Sequence, residues 1–193
     1  MTNKFKTEPF AILGEDDAPE KSLPYLAKAK AAFGLIPNVE GVMAQAPGLL
    51  ASYMTAWDEF GETSFTAVEQ QVVYLTANFE NNCQYCVPWH SIIADGAGMS
   101  EVDVDALRNG AQLQDQKQEA LRIFTRDVIR TQGSIAPAEL KAFLDAGYNQ
   151  QHALEVILGV AVKIMSNYTN SIAQTPLDKE AEGKAWTKPS LRA

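Results

Sequence analysis

Both cysteines of the chain lie in one short stretch, CQYCVPWH (residues 83–90), which ends in one of its two histidines. A helix turns by roughly 100° per residue, so Cys83, Cys86 and His90 would fall within an arc of roughly 60° on one face. Cys86 and His90 form an i, i+4 pair, close enough for the imidazole to accept the thiol proton. The stretch therefore offers a nucleophile, a resolving thiol and a base.

The residues alone leave open which thiol attacks. A Cys-x-x-Cys pair can close a disulfide, and its thiol pKa is commonly lowered by a helix N-terminus or a neighbouring histidine. Asn82 is a good N-cap, which would make Cys83 the first helical residue, where the helix dipole favours a thiolate. The spacing to His90 instead favours a thiolate at Cys86.

Other interpretations of the cysteine pair fit less well. A zinc site formed by Cys83, Cys86 and His90 would need a fourth ligand, and only His152 or a carboxylate remains to supply it. Haem attachment requires a histidine directly after the second cysteine, where this chain has Val87. Inert buried cysteines are the plainest alternative. The joint spacing favours redox chemistry, with no metal and no organic cofactor required.

The hydrophobic pattern and the capping signals predict an all-α, single-domain protein of about eight helices. We expect an extended arm over residues 1–18, the helical domain over 19–176 and a polar tail over 177–193. The predicted helices cover residues 19–33, 39–46, 47–60, 66–79, 82–96, 100–107, 115–131, 138–146 and 149–173. The last of these is apolar nearly all round, which predicts a helix buried on most sides.

Composition excludes several classes of function. The net charge is −8 and no stretch is densely basic, which disfavours nucleic-acid binding. The apolar runs are shorter than the roughly 18 residues of a membrane span. The first residues lack the apolar segment of a secretory signal, so with this cysteine usage we expect a cytoplasmic protein without membrane contact.

Several stretches together resemble the carboxymuconolactone decarboxylase superfamily, in its AhpD-like alkylhydroperoxidase branch. The most specific is NCQYCV (82–87) with His90, preceded by VEQQVVYL (68–75). Supporting matches are FGLIPN (33–38), APGLL (46–50) and YTNSIA (168–173). The resemblance implies an AhpD-like helical fold, assembled as a homo-oligomer (dimer, trimer or hexamer). The lactone decarboxylases lack the cysteine pair, which argues against decarboxylation here.

The resemblance also implies roles for the site residues. It implies reduction of a hydroperoxide or disulfide substrate, with Cys86 as the attacking thiol, Cys83 as the resolving thiol, His90 as the base and an external dithiol as the reductant. In this family a glutamate on the preceding helix completes a proton relay to the histidine. The corresponding residue here is Gln71. We therefore expect either a relay rearranged around Glu69 or Glu80, or a site without the carboxylate.

Glu69 has a structural interpretation beside the catalytic one, because Thr66 and Glu69 have the spacing of a capping box. The whole chain has an alternative too: a non-catalytic helical oligomer of the same family, acting as a redox sensor or ligand-binding module. An ordinary thiol pKa near 8.5 and no disulfide after mild peroxide would favour that alternative.

Overall fold

The structure, a computed structural model, describes residues 9–191; residues 1–8 of the predicted arm lie outside this range. The helices are α1 Leu23–Phe33, α2 Asn38–Met43, α3 Pro47–Gly61, α4 Ala67–Glu80, α5 Cys86–Gly96, α6 Glu101–Asn109, α7 Gln116–Arg130, α8 Pro137–Asp145 and α9 Gln150–Ala173. Short 3-10 helices cover Glu20–Ser22, Lys179–Lys184 and Pro189–Leu191. No strand occurs in the described range, so the all-α prediction is confirmed.

Side-chain caps begin the helices where the sequence predicts them. At α4 the Thr66 hydroxyl accepts from the Glu69 backbone N–H, and the Glu69 carboxylate accepts from the Thr66 N–H. The side chains of Ser100, Asp115 and Asn149 likewise accept from a backbone N–H in the first turn of α6, α7 and α9. Each cap satisfies backbone donors that have no partner inside the helix, which fixes where the helix starts.

Helix α4 is the centre of the fold. It packs against α5, α7 and α9, while α3 also packs along α9. Val72, Val73 and Leu75 of α4 are fully buried. At Gly159 of α9 the neighbouring helices leave no room for a side chain, because an added Cβ would lie 2.6 Å from the Phe60 ring and 2.7 Å from Val73. The first turn of α5 and the middle of α9 thus meet beside α4.

The start of α5 differs from the prediction. Asn82 has a left-handed backbone conformation (φ 54°), and α5 begins at Cys86 instead of Cys83. Asparagine is one of the few residues that adopt this conformation at low cost. The turn that it forms places Cys83 before the helix, with its carbonyl accepting from the N–H groups of Cys86 and Val87. Cys86, not Cys83, therefore lies at the positive end of the α5 dipole.

Helix α9 is not buried on most sides, contrary to the expectation. Its apolar residues Leu154, Ile157, Ile164, Tyr168 and Ile172 are exposed, by 38–71% of their surface. Its buried face instead carries the polar residues Lys163, Ser166, Asn167 and Asn170, each at most 6% exposed. The spacing i, i+3, i+4, i+7 places these four on one stripe. The buried face of α9 is therefore apolar up to Val162 and polar from Lys163 onward.

The segment after α9 packs back onto the domain. Asp178 is buried and accepts hydrogen bonds from the hydroxyl of Tyr85, from Trp89 Nε1 and from the backbone N–H of Asn38. Trp186 is also buried and donates to the carbonyl of Arg108. This segment therefore fixes the aromatic side chains of the cysteine motif.

Among the described helices, none is both long and apolar enough to span a membrane.

Candidate active site

Cys83 and Cys86 are paired as a disulfide, with their Cα atoms 5.3 Å apart. Both residues are buried, at 5% and 3% exposure. The backbone N–H of Cys86 points at Cys83 Sγ, at a distance of 3.2 Å. The turn between the two cysteines is closed by hydrogen bonds from the backbone N–H groups of Cys86 and Val87 to the Cys83 carbonyl, and it brings the two residues together at the start of α5.

Two carboxamides of α9 donate hydrogen bonds to the sulfur of Cys86. Asn167 Nδ2 lies 3.1 Å and Asn170 Nδ2 lies 3.3 Å from Cys86 Sγ. Asn170 Nδ2 also lies 3.7 Å from Cys83 Sγ. Asn167 is held in place by Asn78, whose Oδ1 accepts from the same amide group at 2.9 Å. Hydrogen bonds to an ionised group favour its charged form, so this pair of amides is suited to a thiolate at Cys86.

His90 is hydrogen-bonded at both ring nitrogens. Nδ1 lies 2.8 Å from Gln71 Oε1, and Nε2 lies 2.8 Å from Lys163 Nζ. Because an amide oxygen can only accept, Nδ1 carries the proton, and Nε2 accepts from the lysine. Neither nitrogen remains free for Cys86. The direct transfer of a proton from Cys86 to His90 that the spacing suggested therefore has no support in this arrangement.

Burial shifts the pKa values of Lys163, Glu40 and His90. It lowers the pKa of Lys163 to about 7, against the attraction of Glu40. It raises the pKa of Glu40 to about 8. Burial, together with the nearby Lys163, also holds the pKa of His90 well below its ordinary value. His90 is therefore neutral near pH 7, while Lys163 and Glu40 both titrate close to it.

A small aromatic cavity connects these groups to Cys86. Glu40, Cys86, His90 and Lys163 all line it, and its volume of about 30 Å³ has room for roughly two water molecules. Its aromatic side chains are Phe33, Tyr53, Trp57, Tyr85 and Trp89. One carboxylate oxygen of Glu40, Oε2, is buried without a hydrogen-bond partner among the described residues. Cys86 thus faces an apolar space that also contains a titratable amine and a titratable carboxyl.

The structure does not bring Glu69 to this cavity. Its carboxylate accepts from Thr66 and Tyr148 and pairs with Lys117 at 3.2 Å. Burial alone would raise the pKa of Glu69, but these contacts outweigh it and hold the pKa below its ordinary value. Glu80 instead pairs with Arg130. Gln71, where the resemblance implied a carboxylate, does lie beside His90 and is uncharged.

Sequence reasoning missed Lys163, Glu40, Asn167 and Asn170 as site residues. Three of them belong to the polar stripe of α9, and a run of polar residues at helical spacing inside an otherwise apolar helix was the available signal. Glu40 had no such signal, because an acidic residue in the first turn of a short helix is sufficiently explained by the helix dipole. Among the described residues, no group of three or more His, Cys, Asp or Glu side chains is arranged to hold a metal ion.

A family comparison and a structural comparison extend these observations. The model of the carboxymuconolactone decarboxylase family matches residues 47–125, which include both cysteines and His90. No curated protein sequence matches the chain. Solved structures match nearly its whole length, but all those described below are less than 20% identical in sequence.

The structural matches share one fold. A peroxidase-related protein with an AhpD core from Ralstonia eutropha JMP134 has a TM-score of 0.79 at 18% identity, covering 90% of this chain and 95% of its own. A peroxidase-related protein from Silicibacter sp. TM1040 has a TM-score of 0.76 at 19% identity, covering 93% and 98%. A cysteine-to-alanine variant of the debrominase Bmp8, in complex with 2,3,4-tribromopyrrole, has a TM-score of 0.77 at 14% identity, covering 92% and 96%. The fold is therefore AhpD-like.

Proposed function

We propose that this chain, a member of the carboxymuconolactone decarboxylase family with an AhpD-like fold, reduces hydroperoxides through Cys86 and Cys83. One observation carries the proposal. Cys86 is paired with a second cysteine, accepts hydrogen bonds from two carboxamides and lines a cavity that contains Lys163. These contacts support a site with Cys86 as nucleophile, Cys83 as resolving thiol, two thiolate-stabilising donors and a base.

Lys163 is the base of this proposal. With a pKa near 7 it is substantially neutral at physiological pH, and a neutral amine can accept the thiol proton of Cys86. His90, fixed by Gln71 in the tautomer whose Nε2 accepts, positions the amine. The resulting ammonium ion would stabilise the Cys86 thiolate and could return a proton to the leaving oxygen.

The reaction then follows three balanced steps. The Cys86 thiolate attacks the O–O bond of ROOH, which gives a sulfenic acid and, after proton transfer from Lys163, an alcohol ROH. The Cys83 thiol condenses with the sulfenic acid, which forms the disulfide and releases water. An external dithiol reduces this disulfide in two exchange steps and is itself oxidised to a disulfide.

Peroxide consumption by cysteine variants tests the proposal. With dithiothreitol as reductant, Cys86→Ser should abolish turnover, while Cys83→Ser should consume about one equivalent of peroxide and stop. Mass spectrometry after stoichiometric peroxide and alkylation should show the wild-type chain losing two hydrogens. Unaltered peroxide consumption in Cys86→Ser would refute the role of Cys86. Two thiols that remain alkylatable in the wild-type chain after peroxide would refute the disulfide and favour the non-catalytic alternative.

Reductive dehalogenation of a small aromatic compound is a second candidate. The observation that favours it is the aromatic lining of the cavity beside Cys86, together with the fold shared with the debrominase Bmp8. Two thiols and an aryl bromide would yield the arene, hydrogen bromide and the disulfide. Bromide release from tribromopyrrole, measured beside peroxide consumption in the same preparation, distinguishes the two activities.

A further inference from the structure

The two sulfurs of the disulfide line different spaces. Cys86 lines the aromatic cavity, whereas Cys83 lines a second space of about 230 Å³. We call this second space the amide cleft, because five carboxamide side chains line it: Asn82, Gln84, Asn167, Asn170 and Gln174. Among the described residues that line it, none is charged. Cys86 thus borders the aromatic cavity, and Cys83 borders a polar, uncharged cleft.

Three residues that line the amide cleft each have a buried polar atom without a partner in the described part of the chain. Asn82 Oδ1, Asn170 Oδ1 and Thr175 Oγ1 are buried and make no hydrogen bond to the part of the chain that the structure describes. Asn170 is only 6% exposed, and its amide nitrogen points at the two sulfurs. Buried polar groups are normally paired, because leaving them unpaired is costly. Carboxamide oxygens beside a disulfide are therefore suited to a thiol that carries N–H donors.

We propose that the amide cleft is the docking site of the reductant, a dithiol that carries peptide-like N–H groups and attacks Cys83. This inference rests on the proposed function, because it describes how that disulfide is reduced. The reductant thiolate bonds to Cys83 Sγ and breaks the Cys83–Cys86 bond, so the electron pair leaves on Cys86 Sγ. Asn167 and Asn170 donate to that sulfur as it becomes a thiolate.

The second half of the exchange completes the reduction. The other thiolate of the reductant attacks its own sulfur in the mixed disulfide, which releases Cys83 as a thiolate. Cys83 and Cys86 each take up one proton, and the reductant leaves as a disulfide. Two electrons and two protons have then moved from the dithiol to the protein. The aromatic cavity remains free for the oxidising substrate throughout.

Charge placed at Gln174 tests where the reductant enters. Gln174 lines the amide cleft at its exposed end. For the oxidised protein, without peroxide, Gln174→Glu should raise the rate of reduction by cysteamine and lower the rate with 3-mercaptopropionate, each by about threefold at low salt. Gln174→Lys should do the reverse. Gln112→Glu and Gln112→Lys, at an exposed residue that lines neither space, should change neither rate.

Single-cysteine variants show which of the two sulfurs can be reached through the amide cleft. In Cys86→Ser the exchange of Cys83 with cystamine should respond to charge at Gln174, whereas in Cys83→Ser the exchange of Cys86 should not. Equal responses of both thiols, or none, would overturn the docking proposal. Because no peroxide is present, this result is independent of whether the protein consumes hydroperoxides.

Asn82→Gly tests the N–H donors of the reductant. Glycine keeps the left-handed conformation of residue 82 and removes the carboxamide, with the unpartnered oxygen that would accept from the reductant. The rate of disulfide reduction by N-acetylcysteinamide should fall about threefold, while the rate with 2-mercaptoethanol should stay unchanged. If both rates fall together, or neither falls, the cleft does not recognise peptide-like groups.

Discussion

The amine of Lys163 lies 2.8 Å from Nε2 of His90, and both residues are almost completely buried. They come from helices α9 and α5, 73 residues apart in the chain. Burial disfavours the charged ammonium form and lowers the pKa of Lys163 to about 7. In the proposed mechanism, the histidine of the cysteine motif therefore positions a base that lies elsewhere in the chain.

Lys163→Met should slow peroxide consumption by ~10²-fold, the lower range of what a general base contributes. The wild-type rate should rise with pH around a midpoint near 7, as the Lys163 amine loses its proton. The variant should lose this step, and Lys141→Met, at a lysine whose side chain is 72% exposed, should keep it. An unchanged pH profile in Lys163→Met would assign the base role to another group.

Gln71→Glu should raise the pKa of His90, because a carboxylate beside Nδ1 favours the charged imidazolium. The chain has only two histidines, so NMR titration of their ring protons resolves His90 from His152. Gln70→Glu, at the neighbouring residue of α4, is the matched control and should leave the His90 signal unchanged. A His90 pKa that does not rise in Gln71→Glu would contradict the contact with Nδ1.

Burial of Lys163 should make stability increase with pH above 7. Its folded pKa of about 7 lies below the ordinary value of 10.5, so the unfolded chain binds more protons between these values. Glu40 has the opposite effect below about pH 8. Burial raises its pKa in the folded protein, so the stability contributed by the protonated acid falls as the pH rises towards 8. Chemical denaturation between pH 8 and 9.5 should therefore show a rising free energy of unfolding in the wild type, and a flatter one in Lys163→Met. Equal slopes would show that Lys163 stays charged in the folded protein.

Gly159→Ala should destabilise the protein by about 1–3 kcal/mol, the usual cost of overpacking. The added methyl group would collide with the Phe60 ring and Val73, which belong to fully buried parts of α3 and α4. Gly96→Ala is the control, because nothing lies within 4 Å of an added Cβ there. The control should be neutral or stabilising by up to ~1 kcal/mol, as expected when glycine is replaced in a helix. Thermal or urea unfolding of both variants measures the difference, and equal midpoints would show that α9 can shift away from α3.

The exposed apolar stripe of α9 predicts that the protein is not a monomer. Leu154 and Ile172 are 68% and 71% exposed, at the two ends of a stripe that a single chain rarely leaves open to water. Light scattering coupled to size exclusion should give a mass of at least twice 21.1 kDa. Ile172→Glu should lower the mass, while Val102→Glu, at a 58% exposed residue of α6, should not. A single monomer peak at all concentrations would leave the stripe as ordinary surface.

The sequence predicted most of the fold because local signals set the helix ends. The caps at Thr66, Ser100 and Asn149 act within one turn, so neighbouring residues suffice to recognise them. The start of α5 was misplaced because Asn82 serves equally well as an N-cap and as a left-handed turn residue. Only the packing of the cysteines against α9 distinguishes these two roles.

Only the residues of the site that lie close together in the sequence could be predicted. The cysteine pair and His90 share one short stretch, whereas their surroundings come from distant elements. Lys163 and Asn167 follow the motif by more than 70 residues, and Glu40 precedes it. Their roles depend on burial, which shifts the pKa of Lys163 and Glu40 towards neutrality, and no sequence pattern specifies that burial. The sequence allowed a catalytic role for Glu69, because the spacing of a capping box does not exclude such a role.

The long separation between the cysteine motif and α9 has a consequence for the order of events during synthesis. The sulfur of Cys86 receives its amide donors from residues 81 and 84 positions later in the chain. Because chains are synthesised from the N-terminus and such distant contacts form late, both thiols emerge well before the side chains that will surround them. A nascent chain stalled before α9 should therefore carry two freely alkylatable thiols, and their protection should appear only once α9 has been released. Thiol protection is in this sense a marker for completed folding of the C-terminal part of the chain.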